Sequence, residues 1–147
     1  MALDVEALCN GLADAVQRGT GLSCAPSEPD QIDPPCAFVM LADPFIESPH
    51  EAMNNGLARV ALTVRLVGGT AAGWSDAVRA LWPYLSSGTG FPFSVLDAIY
   101  VDTTFGGVLG GGGVLVQSVG GPRAAEFVTG QIYVVVDVPL TVLVTRS

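Results

Sequence analysis

The sharpest pattern along the chain is a period of two. Between Leu57 and Leu66, Val60, Leu62, Val64 and Leu66 face one way while Arg59, Ala61, Thr63 and Arg65 face the other, the pattern of a strand with one buried face. Gly68-Gly69 is expected to end it. The closing segment, about Val128 to Val144, repeats the pattern over about seventeen positions, with Ile132, Val134, Val136, Val138, Leu140, Val142 and Val144 on one side. Gln131, Tyr133, Val135, Asp137 and Pro139 lie opposite. Strands usually run to about 5–6 residues, so this one projects beyond its own sheet or bends, and Pro139, which has no N–H to donate, marks a bend or an edge.

Other segments carry a helical period. Leu8, Leu12, Ala15 and Val16 form a stripe over residues 3–18, with Asp4 and Glu6 near its start, Arg18 at its end, and Gly19 and Gly21 stopping it. Trp74, Val78, Leu81, Trp82 and Leu85 share a second helical face, which predicts both tryptophans in a core or a subunit contact. Pro83 is expected to kink that helix near its last turn. A short amphipathic piece follows, with Pro92 in a first turn and Val95, Leu96 and Ile99 apolar. Leu22 to Pro35 is a proline-rich connection, Cys36 to Ala42 a short strand, and Asp43 to Gly56 a surface loop or hairpin tip. Val108 to Val119 reads as an apolar strand softened by Gly110 to Gly113, and Gly120 to Arg123 as a turn. Together these predict a single α+β domain over residues 1–147, a mostly antiparallel β-sheet with helices packed on one face.

Composition adds that apolar surface is abundant. Half of the 147 residues are hydrophobic and 14% are charged, with a mean hydropathy of +0.50, so either the core is generous or a partner covers apolar surface. Gly, Asp, Thr or Arg interrupts every apolar run short of a membrane span, and no cation precedes an apolar run at the N-terminus, so the expectation is a soluble protein made in a cytoplasm. Fourteen acids oppose six arginines, lysine is absent, and the net charge is -8. The arginines are spread singly, which argues against a nucleic-acid binder, and an acidic surface would repel DNA.

Candidate chemistry is sparse. The single histidine, His50, sits in the loop between Pro49 and Glu51 and is expected to be a surface residue rather than a catalytic base. Cys9, Cys24 and Cys36 have neither zinc spacing nor an even count and read as buried thiols. The glycines from Gly106 to Gly113 lack the lysine of a phosphate loop and lead into a strand rather than a helix, so they read as turns, bulges or close backbone approaches. Asp30 with Asp33, and Asp43 with Glu47, read as solvated loop acids. The expectation is a protein that acts by binding, without enzyme activity, cofactor or metal.

The run Val101-Asp102-Thr103-Thr104-Phe105-Gly106-Gly107-Val108, with the order of elements around it, resembles the short tail terminator proteins of long-tailed (siphovirus) bacteriophages of the actinobacterial-phage type. The four glycines at 110–113 and the segment Asp43 to Gly56 depart from that family's pattern. The resemblance implies a structural virion protein, a homohexameric ring that caps the tail tube at the head-proximal end, joins it to the head connector and lets genome DNA pass without specific binding. It also implies assembly in the host cytoplasm and no membrane contact. On that reading the subunit interface falls at Tyr133, Val135, Asp137, Pro139, Asp102, Phe105, Gly106 and Gly107. Contacts with tube or connector fall at Phe45, His50 and Asn54. Another head–tail joining or minor tail protein, or a small ligand-binding or regulatory α+β domain, are the competing readings.

Overall fold

A computed structural model describes residues 4–47, 57–86, 94–101, 114–116, 118–127 and 130–145. Helix α1 (Val5–Thr20) starts where the Asp4 carboxylate accepts from the Ala7 N–H at 3.1 Å, and ends where Gly21 adopts a left-handed φ of 73° and donates to the Gln17 carbonyl. The Thr20 hydroxyl secures the exit, donating to Val16 O at 2.6 Å and accepting from the Leu22 N–H. Strands β1 (Cys24–Ala25), β2 (Cys36–Glu47) and β3 (Leu57–Thr70) follow. A short turn leads into α2 (Trp74–Leu85), then come α3 (Val95–Val101), β4 (Val114–Val116), β5 (Arg123–Glu126) and β6 (Ile132–Thr145).

The sheet runs β1-β2-β3-β6-β4, with β5 pairing farther along the same edge of β6 as β4. Every pairing is antiparallel except β1 with β2, so the sheet is mixed rather than purely antiparallel. Its spine is the β3–β6 pair, which runs from Leu57 opposite Thr145 to Thr70 opposite Tyr133. Both strands have 14 residues, more than twice the common length of about 5–6. Between β5 and β6 the chain reverses through Gly130, whose φ of 86° suits glycine, while the Phe127 N–H donates to Gln131 O.

The period of two decides the main core. Val60, Leu62, Val64 and Leu66 of β3 and Val136, Val138, Leu140 and Val142 of β6 point to the same face, where Leu8, Leu12 and Val16 of α1, Leu81 of α2 and Ile99 of α3 cover them. The close fit depends on small residues. A β-carbon at Gly68 would collide with the Ala77 carbonyl oxygen and lie 2.9 Å from Leu81 Cγ, and one at Gly19 would collide with Ala98. Thus α2 crosses β3 over Gly68-Gly69, and α1 lies against α3 at Gly19.

Several expected boundaries move. Strand β3 continues through Gly68-Gly69, absorbing them in a register shift between Val67 and Gly69. Strand β2 extends to Glu47, past a register shift between Leu41 and Ile46, so the expected loop from Asp43 begins as strand. Of the expected strand Val108 to Val119, Val114–Val116 is strand among the described residues, and the expected turn at Arg123 opens β5. Pro92 lies outside the described residues; the first turn of α3 is capped instead by Ser94, whose hydroxyl accepts from the Asp97 N–H.

Candidate functional site

The face of the sheet away from the helices is where the expected interface residues can be placed. At one end it holds a second apolar cluster: Cys36 and Phe38 of β2, Val67 of β3, Tyr133 and Val135 of β6, and Phe127 from the β5–β6 turn. The Phe127 ring meets Phe38 edge-on at 5.8 Å and lies 5.2 Å from the Tyr133 ring. Tyr133 is 8% and Val135 0% exposed, so both are core in the single chain. This corrects the expectation that one side of the closing strand is core and the other is free for a neighbour. From Tyr133 to Val136 both sides are buried, because the β5–β6 turn folds Phe127 over the second face. At Ile132 the reverse holds: the expected core residue is 46% exposed.

Beyond that cluster the face turns polar. Arg65 and Asp137 stand directly opposite in the β3–β6 register and make a bidentate pair, Nε to Oδ1 at 2.7 Å and Nη2 to Oδ2 at 3.1 Å. Arg123 at the start of β5 adds Nη2 to Oδ2 at 2.7 Å, and the Arg65 guanidinium lies 6.0 Å from the Phe127 ring centre. Burial pushes the Asp137 carboxyl up, but hydrogen bonds from Arg65 and Arg123 and their charges outweigh it and hold the group below the usual carboxylate range. Further along, Pro139 of β6 pairs with Thr63 of β3, and both are half-buried along with Ala61 and Thr141. On its other side Pro139 falls between the stretch of β6 that pairs with β4, which reaches Leu140, and the stretch that pairs with β5, which reaches Val135, so among the described residues it lies at a locally unpaired edge, as its missing N–H suits.

The remaining interface candidates, Asp102, Phe105, Gly106 and Gly107, lie outside the described residues, as do His50 and Asn54; Phe45 falls within the β2 backbone. Of the two places expected for the tryptophans, the core of the single chain is excluded: Trp74 is 44% and Trp82 56% exposed. Helix α2 is rolled so that Ala77 and Leu81 face the sheet, since only a small side chain fits over Gly68-Gly69, and this roll swings Trp82 outward, 5.9 Å from the Arg79 guanidinium. All three cysteines are buried free thiols. Burial, with smaller contributions from Cys36 and Asp14, pushes the Cys24 thiol up to about 12, so it is protonated and unreactive near neutral pH. Among the described residues no cluster of histidine, cysteine and carboxylate side chains could hold a metal ion, and no helix is long and apolar enough to cross a membrane.

Three features escaped the sequence reading. In the Arg65–Asp137–Arg123 cluster, Arg65 and Asp137 had a signal, since they occupy polar positions of alternating strands, but their register and the approach of Arg123 from the expected turn had none. The cover that Phe127 provides depends on the turn geometry alone. The third is a cavity of about 600 Å³ between the N-terminal half of α1, the chain leaving β1 and the outer edge of β2. Comparison with known protein families and with curated proteins found no match to this chain.

Proposed function

We propose that the chain is a structural subunit of a phage virion, a tail terminator that forms a homohexameric ring capping the tail tube and joining it to the head connector. The observation that carries this reading is the β3–β6 spine: two 14-residue strands covered by helices on one face, with the half-buried surface around Ala61, Thr63, Pro139 and Thr141 on the other. Long strands with one face that no helix covers among the described residues suit lateral packing of copies into a closed ring. The excess of acids and absence of lysine suit a lumen through which DNA passes without binding. The resemblance of the Asp102 to Gly107 run supports the choice of terminator over other assemblies. Burial of Tyr133 and Val135 moves the proposed subunit contact toward Pro139 and Thr141.

Native mass spectrometry with negative-stain imaging tests the reading. The expected species has six times the 15.1 kDa subunit mass and appears as a six-fold annulus, alone or after addition of assembled tail tubes. A chain that stays monomeric over a wide concentration range and in the presence of tubes overturns it.

A further inference from the structure

The two edges of the sheet are finished differently. On one, the Tyr100 hydroxyl of α3 accepts from the Val116 N–H of β4, occupying a backbone donor that faces away from β6. On the other, β1 covers β2 only at Ala37 and Phe38, and Pro26, without an N–H, leads the chain away. The Ala37 N–H donates outward to Ser23 O at 2.9 Å. Backbone groups alternate along a strand, so those of Val39 and Leu41 face the same edge, past the end of β1. Among the described residues no strand pairs with them there.

The cavity lies at this stretch. Val5 and Cys9 of α1, Pro26, and Val39, Met40 and Leu41 of β2 line it, and Leu41 is 49% exposed. A strand added beside Val39 and Leu41 would direct alternate side chains to the helix-covered side of the sheet, into the cavity. The charged residues in its lining are Glu6 and Glu28, both acids and both exposed. Open backbone groups, an apolar cavity at the adjoining position and an acidic rim describe one kind of occupant.

We infer that the β2 edge at Val39–Leu41 is a docking site for an extended segment of a partner protein, which adds as a strand, places an apolar side chain in the cavity and sets flanking Lys or Arg residues against Glu6 and Glu28. Backbone pairing supplies affinity, and the cavity with its two acids supplies selectivity. A second copy of this acidic chain is a poor match to that rim. The site does not depend on ring formation.

The test is fluorescence anisotropy of the full-length chain with two labelled peptides, one alternating arginine with valine and its counterpart alternating glutamate with valine. On the unmodified protein the arginine peptide binds at least about tenfold more tightly, and added salt weakens it. The double variant Glu6→Lys with Glu28→Lys reverses the preference. Leu41→Pro, which removes an outward N–H and leaves the pairing with β3 without a lost donor, abolishes binding of both peptides. Equal binding of the two peptides, or an unchanged preference in the charge-reversed variant, overturns the proposal. So does binding to a folded Leu41→Pro variant at the unmodified level. Should that variant fail to fold, the charge-reversed variant decides between the outcomes alone. Self-association that Leu41→Pro removes, with neither peptide bound by the unmodified chain, assigns the edge to a second copy and also overturns it.

Discussion

Val135 and Val136 are adjacent in β6, point to opposite sides of the sheet, and are both fully buried. Replacing either by alanine removes two methyl groups, about 1.6 kcal/mol of transfer free energy, and the cavity left behind raises the loss to about 2–3 kcal/mol. For a chain of this size each kcal/mol moves Tm by about 2–4 °C, so each variant should melt about 5–10 °C lower. Ile132→Thr is the control: it keeps a β-branched side chain at an exposed position of the same strand and should cost no more than about 0.5 kcal/mol. Thermal unfolding followed by circular dichroism at two protein concentrations is the assay. If the Val135 side belongs to the core of the single chain, the deficit of Val135→Ala matches that of Val136→Ala and is the same at both concentrations. A Val135→Ala melt within about 2 °C of the control would refute the two-sided core. A deficit that changes with concentration would return Val135 to a contact between subunits.

Two further outcomes follow from close contacts on either side of the sheet. Gly68→Ala drives a β-carbon into the Ala77 carbonyl oxygen and should lower stability by about 1–3 kcal/mol in urea titration, whereas Gly73→Ala, which meets nothing within 4 Å, should be neutral or slightly stabilising; equal effects would show that α2 does not press on β3. Asp137→Asn should cost about 1–3 kcal/mol at neutral pH by leaving Arg65 without its carboxylate. Because the folded carboxyl titrates below its unfolded counterpart, the stabilisation is complete above the unfolded value near 4 and is lost as pH falls through the lower folded one. The gap between wild type and Asp137→Asn should therefore narrow between about pH 5 and pH 2, and a gap constant over that window would show that the ion pair contributes nothing.

The fold class and the main core are legible in the order of residues alone. Alternation from Val60 to Leu66 and from Val136 to Val142 reports directly which side of each strand faces the main core, because side-chain direction in a strand follows position with a period of two. The first helix is legible for the same reason at a period of 3.6, with Asp4 and Gly21 supplying its caps. What lies on the second face is settled by folding. Val135 and Tyr133 are at alternating positions that look outward, and only the turn that lays Phe127 over them makes them core. Likewise the apolar stripe of α2 places Trp74 and Trp82 in a core or a subunit contact without choosing between them, because the direction a helix faces depends on what it crosses, and Gly68-Gly69 selects Ala77 for the core. The pairing of Arg65 with Asp137 spans 72 positions, and the edge of β2 has no further paired strand among the described residues because β1 stops after two residues. Periodicity reports the environment along one element; registers, crossings and unfilled edges are properties of pairs of elements, and those arise only when the chain is folded.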